Sequence, residues 1–279
     1  MPLSPYSCTN CGHWQRYFAV PPDCPICSDV RNDLPADGWE FLAPAQVGER
    51  ITQHHWREVR PGLWEFWSTP RYGLDGHGWL LLHPGGNVAF EAAPLYNQAQ
   101  LDKITELGGI RFLGSSHPHG YGALYQLQER FRPEALLIQR DDLNWTKAFR
   151  VTWPYDESFV IRPGLTLHHT GGHYDGHAVL HDAQRRALFA GDALKVDFDA
   201  DGTAAGLSTH KAYHKQIPLS RDEAMRYRDV ISTLDFDQVF TPFEYAPNTT
   251  TADAVALLDQ VIAGPPFTHP IPIARGPRA

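Results

Sequence analysis

Short apolar runs, closed by Gly, Pro or Asp, recur along the middle of this chain with amphipathic segments between them. That interleaving restricts the fold more than any other feature. "GWLLLH" (78–83), "NVAFEA" (87–92), "IRFLGSS" (110–116), "ALLIQR" (135–140), "LTLHHT" (165–170), "AVLHD" (178–182) and "ALFAGD" (187–192) have the length and residue types of strands. Residues 97–107 and 122–131 gather apolar side chains on one face and stop at Gly108–Gly109 and before Pro133, as helices do. "SRDEAMRYRDVISTL" opens with Ser220 and Glu223 at capping-box spacing, and a last helix is expected over 251–263. Strands alternating with helices predict an α/β, layered class in which helices cover sheets. No internal repeat of about 20–50 residues is present, which excludes a solenoid.

A second constraint sits ahead of this region. All four cysteines fall within the first 27 residues, as Cys8-x-x-Cys11 and Cys24-x-x-Cys27 with twelve residues between the pairs. The surrounding head, residues 1–39, has too few large apolar residues to hold a core without a crosslink or a metal. Each pair can aim two sulfurs at one point, and four thiolates suit a tetrahedral cation. The spacing is that of a zinc-ribbon-like or rubredoxin-like knuckle. Structural Zn2+ is the expected occupant, iron fits the same cage, and two disulfides are the remaining alternative. Through this head the protein could also dock a protein partner. The expected organisation is therefore a four-cysteine head (1–39), a main domain (40–264) and a Pro-rich tail (265–279), the last read as an irregular surface strap.

Charge and hydropathy remove several classes. The net charge is −8 with no basic block, so a nucleic-acid footprint is absent. No apolar run approaches the roughly 18–20 residues of a membrane span. The N-terminus lacks a basic head and an apolar stretch, so the expected location is cytoplasmic.

Fifteen histidines, many of them clustered, point to metal. "SSHPHGYG" follows a strand and holds His117 and His119; on an extended segment the two would point to the same side. His173 follows a Gly–Gly turn in "HHTGGHYDGHAVLHD", Asp192 closes the run "ALFAGD", and "VFTPFEYA" runs into a loop at Glu244. Three imidazoles and a carboxylate drawn from strand ends make a catalytic zinc pattern that leaves a position for water. Among the other histidines, His177 is expected to orient a ligand and His181 to face solvent or a partner. His210 and His214 are expected on one helix face, and His54, His55 and His77 fit no pattern.

The order strand–HxH–helix, then "GGH..GH", then "FAGD", resembles the metallo-β-lactamase superfamily over roughly residues 60–245. That resemblance implies a four-layer αβ/βα sandwich with the metals at one edge of its two sheets. It implies that His117, His119 and His173 are the imidazoles of the first metal position and Asp192 the bridging carboxylate. The family pattern H-x-H-x-D-H is broken here, because Tyr121 replaces its Asp and Gly122 its second-metal His. The family's final His falls near Phe243, beside Glu244. One metal position is expected intact and the other dismantled.

The reading that follows is a hydrolase in which a single Zn2+ or Fe, through its bound hydroxide, opens an ester, thioester, lactone or phosphoester in a small-molecule substrate. Asp192 and Glu244, with Asp175, are candidates for the base, and Tyr121 for a hydrogen bond to a developing oxyanion. The cleft is expected from residues 195–220 and a loop around "WREVRPGLWEFW" (56–67). Two alternatives stay open: a catalytically degenerate small-molecule-binding or regulatory module, and an iron-dependent redox protein.

Overall fold

The computed structural model describes residues 2–264 and 270–273. By their contacts they form two compact units, Met1–Tyr155 and Asp156–Ala279.

In the first unit, β1 (Ser4–Cys8) pairs antiparallel with β2 (Trp14–Tyr17) and β3 (Phe41–Leu42). A short helix, α1 (Pro44–Arg50), leads into β4 (Gln53–Arg60) and β5 (Leu63–Thr69). Then come β6 (Gly78–Leu81), β7 (Val88–Phe90), α2 (Gln98–Glu106), β8 (Phe112–Gly114), α3 (Leu124–Phe131), β9 (Ala135–Gln139) and β10 (Trp153–Tyr155). The seven-stranded sheet runs β10-β9-β8-β7-β6-β5-β4. Its β7–β10 part is parallel and its β4–β7 part antiparallel. The inner strands β7 and β9 are buried along their whole length, which is why they read as unbroken apolar runs.

Local chemistry sets the helix ends here. The Asn97 side chain accepts from Gln100 N at 2.9 Å to start α2, and Gly108, at φ 102, supplies the left-handed residue that ends it. Trp14 carries the head into the unit's main core. It is buried, tilted on Tyr125 at 5.0 Å, and its indole donates to Pro94 O at 2.8 Å.

The second unit holds β11 (Ser158–Arg162), β12 (Leu165–His169), β13 (Ala178–Asp182), β14 (Ala187–Phe189), β15 (Lys195–Phe198) and β16 (Ala204–Ser208). It continues with α4 (Arg221–Ile231), β17 (Gln238–Phe240), β18 (Tyr245–Pro247), α5 (Thr251–Ala263) and β19 (Ile271–Pro272). A six-stranded sheet runs β11-β12-β13-β14-β17-β18, and a smaller one runs β15-β16-β19. Both capping boxes are formed, Ser220 with Glu223 on α4 and Thr250 with Asp253 on α5. Of the Pro-rich tail, residues 265–269 and 274–279 lie outside the described residues; Ile271–Pro272 pairs antiparallel with β16, and Ile273 is buried.

Two segments differ from expectation. The stretch 56–67 is no loop: it belongs to the β4–β5 hairpin, in which Pro61–Gly62 makes a tight turn between the two antiparallel strands. His210 and His214 share no helix, since residues 213–216 form a turn closed by an Ala212–Ile217 bridge. Among the described residues no helix is long and apolar enough to cross a membrane.

Candidate metal centres

The head builds its cage from two tight turns. Cys8 ends β1, Gly12 at φ 79 bends the chain back after Cys11, and Ser28 N donates to Cys24 O at 3.0 Å in the second turn. All four sulfurs are buried and lie within 4.8 Å of one another. Cys8 and Cys27 stand 3.8 Å apart, Cys11 and Cys24 3.6 Å. These are not disulfide distances, which are near ~2.05 Å, so the two-disulfide alternative is set aside. Four sulfurs at ~2.3 Å from a tetrahedral cation are about 3.8 Å apart, so the cage fits a metal. Hydrogen bonding from Cys11 holds Cys8 and Cys27 below the ordinary thiol range, while Cys11, bonded to Cys24 and buried, is raised.

The expected extended His-x-His is instead a turn. His117 is extended, but Pro118–Tyr121 form a 3-10 turn, since Pro118 sets a helical φ and Gly120 N donates to His117 O at 3.0 Å. The rings of His117 and His119 still meet edge to face, 5.0 Å apart. Three residues that the sequence reading missed orient His117. Glu91, at φ 60 and 2% exposed, accepts from Ser115 Oγ at 2.5 Å, from Ser116 N at 3.2 Å and from Ser116 Oγ. With its hydrogen committed to Glu91, the Ser116 hydroxyl accepts from His117 Nδ1 at 2.7 Å. The imidazole hydrogen is thereby kept on Nδ1, and Nε2 becomes the nitrogen for a cation. His119 meets a different partner, Asn32, whose Nδ2 donates to Nε2 at 2.9 Å. His13 packs nearby, lining one small cavity with Ile26 and His119, and burial pushes it down to about 4.

In the second unit His173 sits on the turn made by Gly171 and Gly172, at φ 64 and 89, conformations that need glycine. Its Nδ1 donates to His210 O at 3.3 Å, which leaves Nε2 facing Asp192 Oδ2 at 3.6 Å. Asp192 lies in a 3-10 turn, Gly191–Ala193, rather than at a strand end, because β14 stops at Phe189. Tyr213, raised well above the ordinary phenol range by burial, donates to Asp192 O at 3.0 Å.

The other expected residues are placed as follows. Tyr121 is a core side chain, edge-on to Phe149 at 5.2 Å, and its hydroxyl donates to Asp142 O at 3.4 Å. The glycines on either side turn it inward, so packing, and not an oxyanion, claims it. Glu244 is held in its own turn, accepting from Thr241 Oγ1 at 2.6 Å. His177 is buried with Nδ1 on Thr170 Oγ1 at 2.9 Å, and Asp175 is exposed. His181 does not face solvent: it is 9% exposed, and Nε2 donates to Asp235 O at 2.9 Å. His77 and Arg57 both bind the buried Glu65, at 2.7 and 2.6 Å, and His55 stacks on Trp67 at 5.1 Å. No sequence spacing signals Glu91, Ser116 or Asn32, because each reaches its histidine only through folding or through a neighbouring hydroxyl.

Known proteins resemble this chain in family and fold. A family model described as the metallo-beta-lactamase superfamily matches residues 37–235. A Bacillus subtilis (strain 168) protein, "Uncharacterized protein YmaE", is 27% identical over 246 residues, covering 85% of this chain and 88% of the relative. The DIM-1 metallo-β-lactamase exposed to ceftazidime aligns with a TM-score of 0.55 at 13% identity, over 76% of this chain and 99% of that one. A metallo-β-lactamase from Pontibacter korlensis gives 0.54 at 15% identity, over 74% and 99%. FIM-1 from Pseudomonas aeruginosa, in its mono-zinc form, gives 0.53 at 12% identity, over 77% and 99%. At such identities the likeness of the structures concerns the fold: a mixed α/β sandwich typical of metallo-β-lactamases, here with an N-terminal four-cysteine knuckle.

Proposed function

The chain belongs to the metallo-β-lactamase superfamily, and from that premise we propose that it is a metal-dependent hydrolase with one divalent cation at its centre. His117, His119, His173 and Asp192 are its proposed ligands. Membership supports a metal-dependent hydrolase in general. One observation in this chain carries the finer reading. His173 Nε2 and Asp192 Oδ2 stand at 3.6 Å, too far for a good hydrogen bond. Two ligands at ~2.1 Å from one tetrahedral cation are about 3.4 Å apart.

Such a cation, when bound, polarises a carbonyl or phosphoryl oxygen and makes water a nucleophile near neutral pH. The chain's own contribution is orientation. Glu91 and Ser116 keep the His117 hydrogen on Nδ1, and the His210 carbonyl does the same for His173. The Asp192 carboxylate would help hold the cation, and as an acceptor with two oxygens it could also take a proton from water. The proposed substrate is a small ester, thioester, lactone or phosphoester. The knuckle is proposed as a structural Zn2+ site.

Elemental analysis and a hydrolase panel test this reading together. About two metal equivalents per chain are expected, one per cage, and about one in His117→Ala. Turnover of at least one ester-class substrate should vanish on chelation and return with metal. A wild type holding only the knuckle metal and hydrolysing none of the panel would instead make the chain a ligand-binding module.

A further inference from the structure

The four-cysteine knuckle lies against a proposed catalytic ligand, and the contact has a specific chemistry. Asn32 sits five residues beyond Cys27, on the loop that leaves the second cysteine pair. That loop is tied to itself at several points. Asp29 N donates to Ile26 O at 3.2 Å, Asn32 N to Asp29 O at 3.1 Å, and Arg31 Nη1 to Asp29 Oδ1 at 2.8 Å. Asn10, between the first two cysteines, donates to Cys27 Sγ at 3.4 Å and to Asp33 O at 3.0 Å, closing the loop onto the cage. The Asn32 amide is 7% exposed, and its Nδ2 bridges Ile26 O at 3.1 Å and His119 Nε2 at 2.9 Å. The knuckle is also docked by backbone: Leu74 N donates to Cys11 O at 3.2 Å, and Gly73 meets Gly12 so closely that a Cβ there would lie 2.3 Å from Gly12 N. Asn32 therefore cannot drift from His119 without moving the cysteine cage.

We infer that Asn32 is a positioning residue through which the knuckle sets the ring of His119, directing Nδ1 rather than Nε2 to the catalytic cation. The inference rests on the proposed His/Asp centre. With a cation on Nδ1, the ring carries its hydrogen on Nε2. To accept that hydrogen the amide must turn Oδ1 toward Nε2, an option open to Asn because it has a donor end and an acceptor end, and in doing so it gives up its bond to Ile26 O. The knuckle thus has a task in the chemistry beyond folding the head: a structural metal site holds the partner that orients a ligand of another site.

The sign of the expected effect follows from that hydrogen. Aspartate at position 32 can only accept, which is what the metal-loaded ring requires, whereas leucine has the size without the hydrogen bond. Cobalt(II) titration of the full chain against a competing chelator reads both cages, through thiolate charge-transfer bands for the knuckle and d–d bands for the His/Asp centre. Wild type should take two cobalt ions. Asn32→Leu should keep the thiolate bands and weaken the second ion by about 10–100-fold. Asn32→Asp, which keeps the acceptor although its carboxylate also faces Ile26 O, should bind it clearly more tightly than Asn32→Leu.

An unchanged second affinity in Asn32→Leu overturns the inference and leaves the hydrolase reading standing. Loss of the thiolate bands in Asn32→Leu, or equal weakening in both variants, also overturns it, since either marks a role in holding the head together. A wild type that takes cobalt only at the knuckle overturns the hydrolase reading, and the inference with it.

Discussion

At Gly122 the backbone runs at φ 36, and a Cβ placed there would lie 2.2 Å from Ala92 O and 2.6 Å from Ala93 O. This is where the family motif has a histidine. The missing ligand is therefore no neutral drift of one side chain: the adjoining 92–93 backbone occupies its space. Tyr121 completes the change by filling core volume where the family has a carboxylate. Gly122→His is expected to lose ~2–4 kcal/mol of stability, from the positive φ and the overpacking together. Chemical denaturation with metal quantification checks this. A Gly122→His protein as stable as wild type and holding an additional metal ion would refute the steric account. The same scale exposes how Glu91 works. Through the Ser116 hydroxyl its carboxylate decides which nitrogen His117 presents.

Helix ends were the most legible elements. Ser220 and Glu223 announce the start of α4 in sequence, and the box forms as read: Glu223 N donates to Ser220 Oγ at 3.2 Å, and Ser220 N to Glu223 Oε2 at 2.8 Å. Ser220→Ala should cost about 1 kcal/mol, seen as a lower urea midpoint with an unchanged m-value. No change would mean that the Lys211–Glu223 ion pair, at 2.5 Å, holds this end of the helix instead. Elements whose signal is spread across the sheet were harder to read. The strand β4 has only exposed and half-buried residues, in no strict alternation, and its pairing with β5 brings together cross-strand partners such as Arg57 with Glu65 and His55 with Trp67. The turn at 210–217 departs from the expected helix face because the local Ala212–Ile217 bridge closes residues 213–216 into a turn, and i, i+4 spacing alone does not signal that.

For the whole molecule, each unit has a hydrophobic core of its own. A cation bound only by the folded chain stabilises it by mass action. At free zinc ~100-fold above the dissociation constant, each site should add about 2.7 kcal/mol. Thermal unfolding of apo protein against added zinc should therefore show Tm rising with metal concentration, and less steeply in His173→Ala. A Tm indifferent to zinc would mean that neither cage binds it in the native state. Sequence alone determined the α/β class, the cysteine cage and the ligand candidates, because strand period, capping boxes and cysteine spacing are written within a few residues. Only the tertiary structure decided which nitrogen each histidine presents, why Gly122 excludes a side chain, and that Asn32 of the head reaches His119. Those outcomes depend on groups 24 to 87 residues apart that share no sequence period, and hydrogen bonds of a few ångströms form only after the backbone has brought them together.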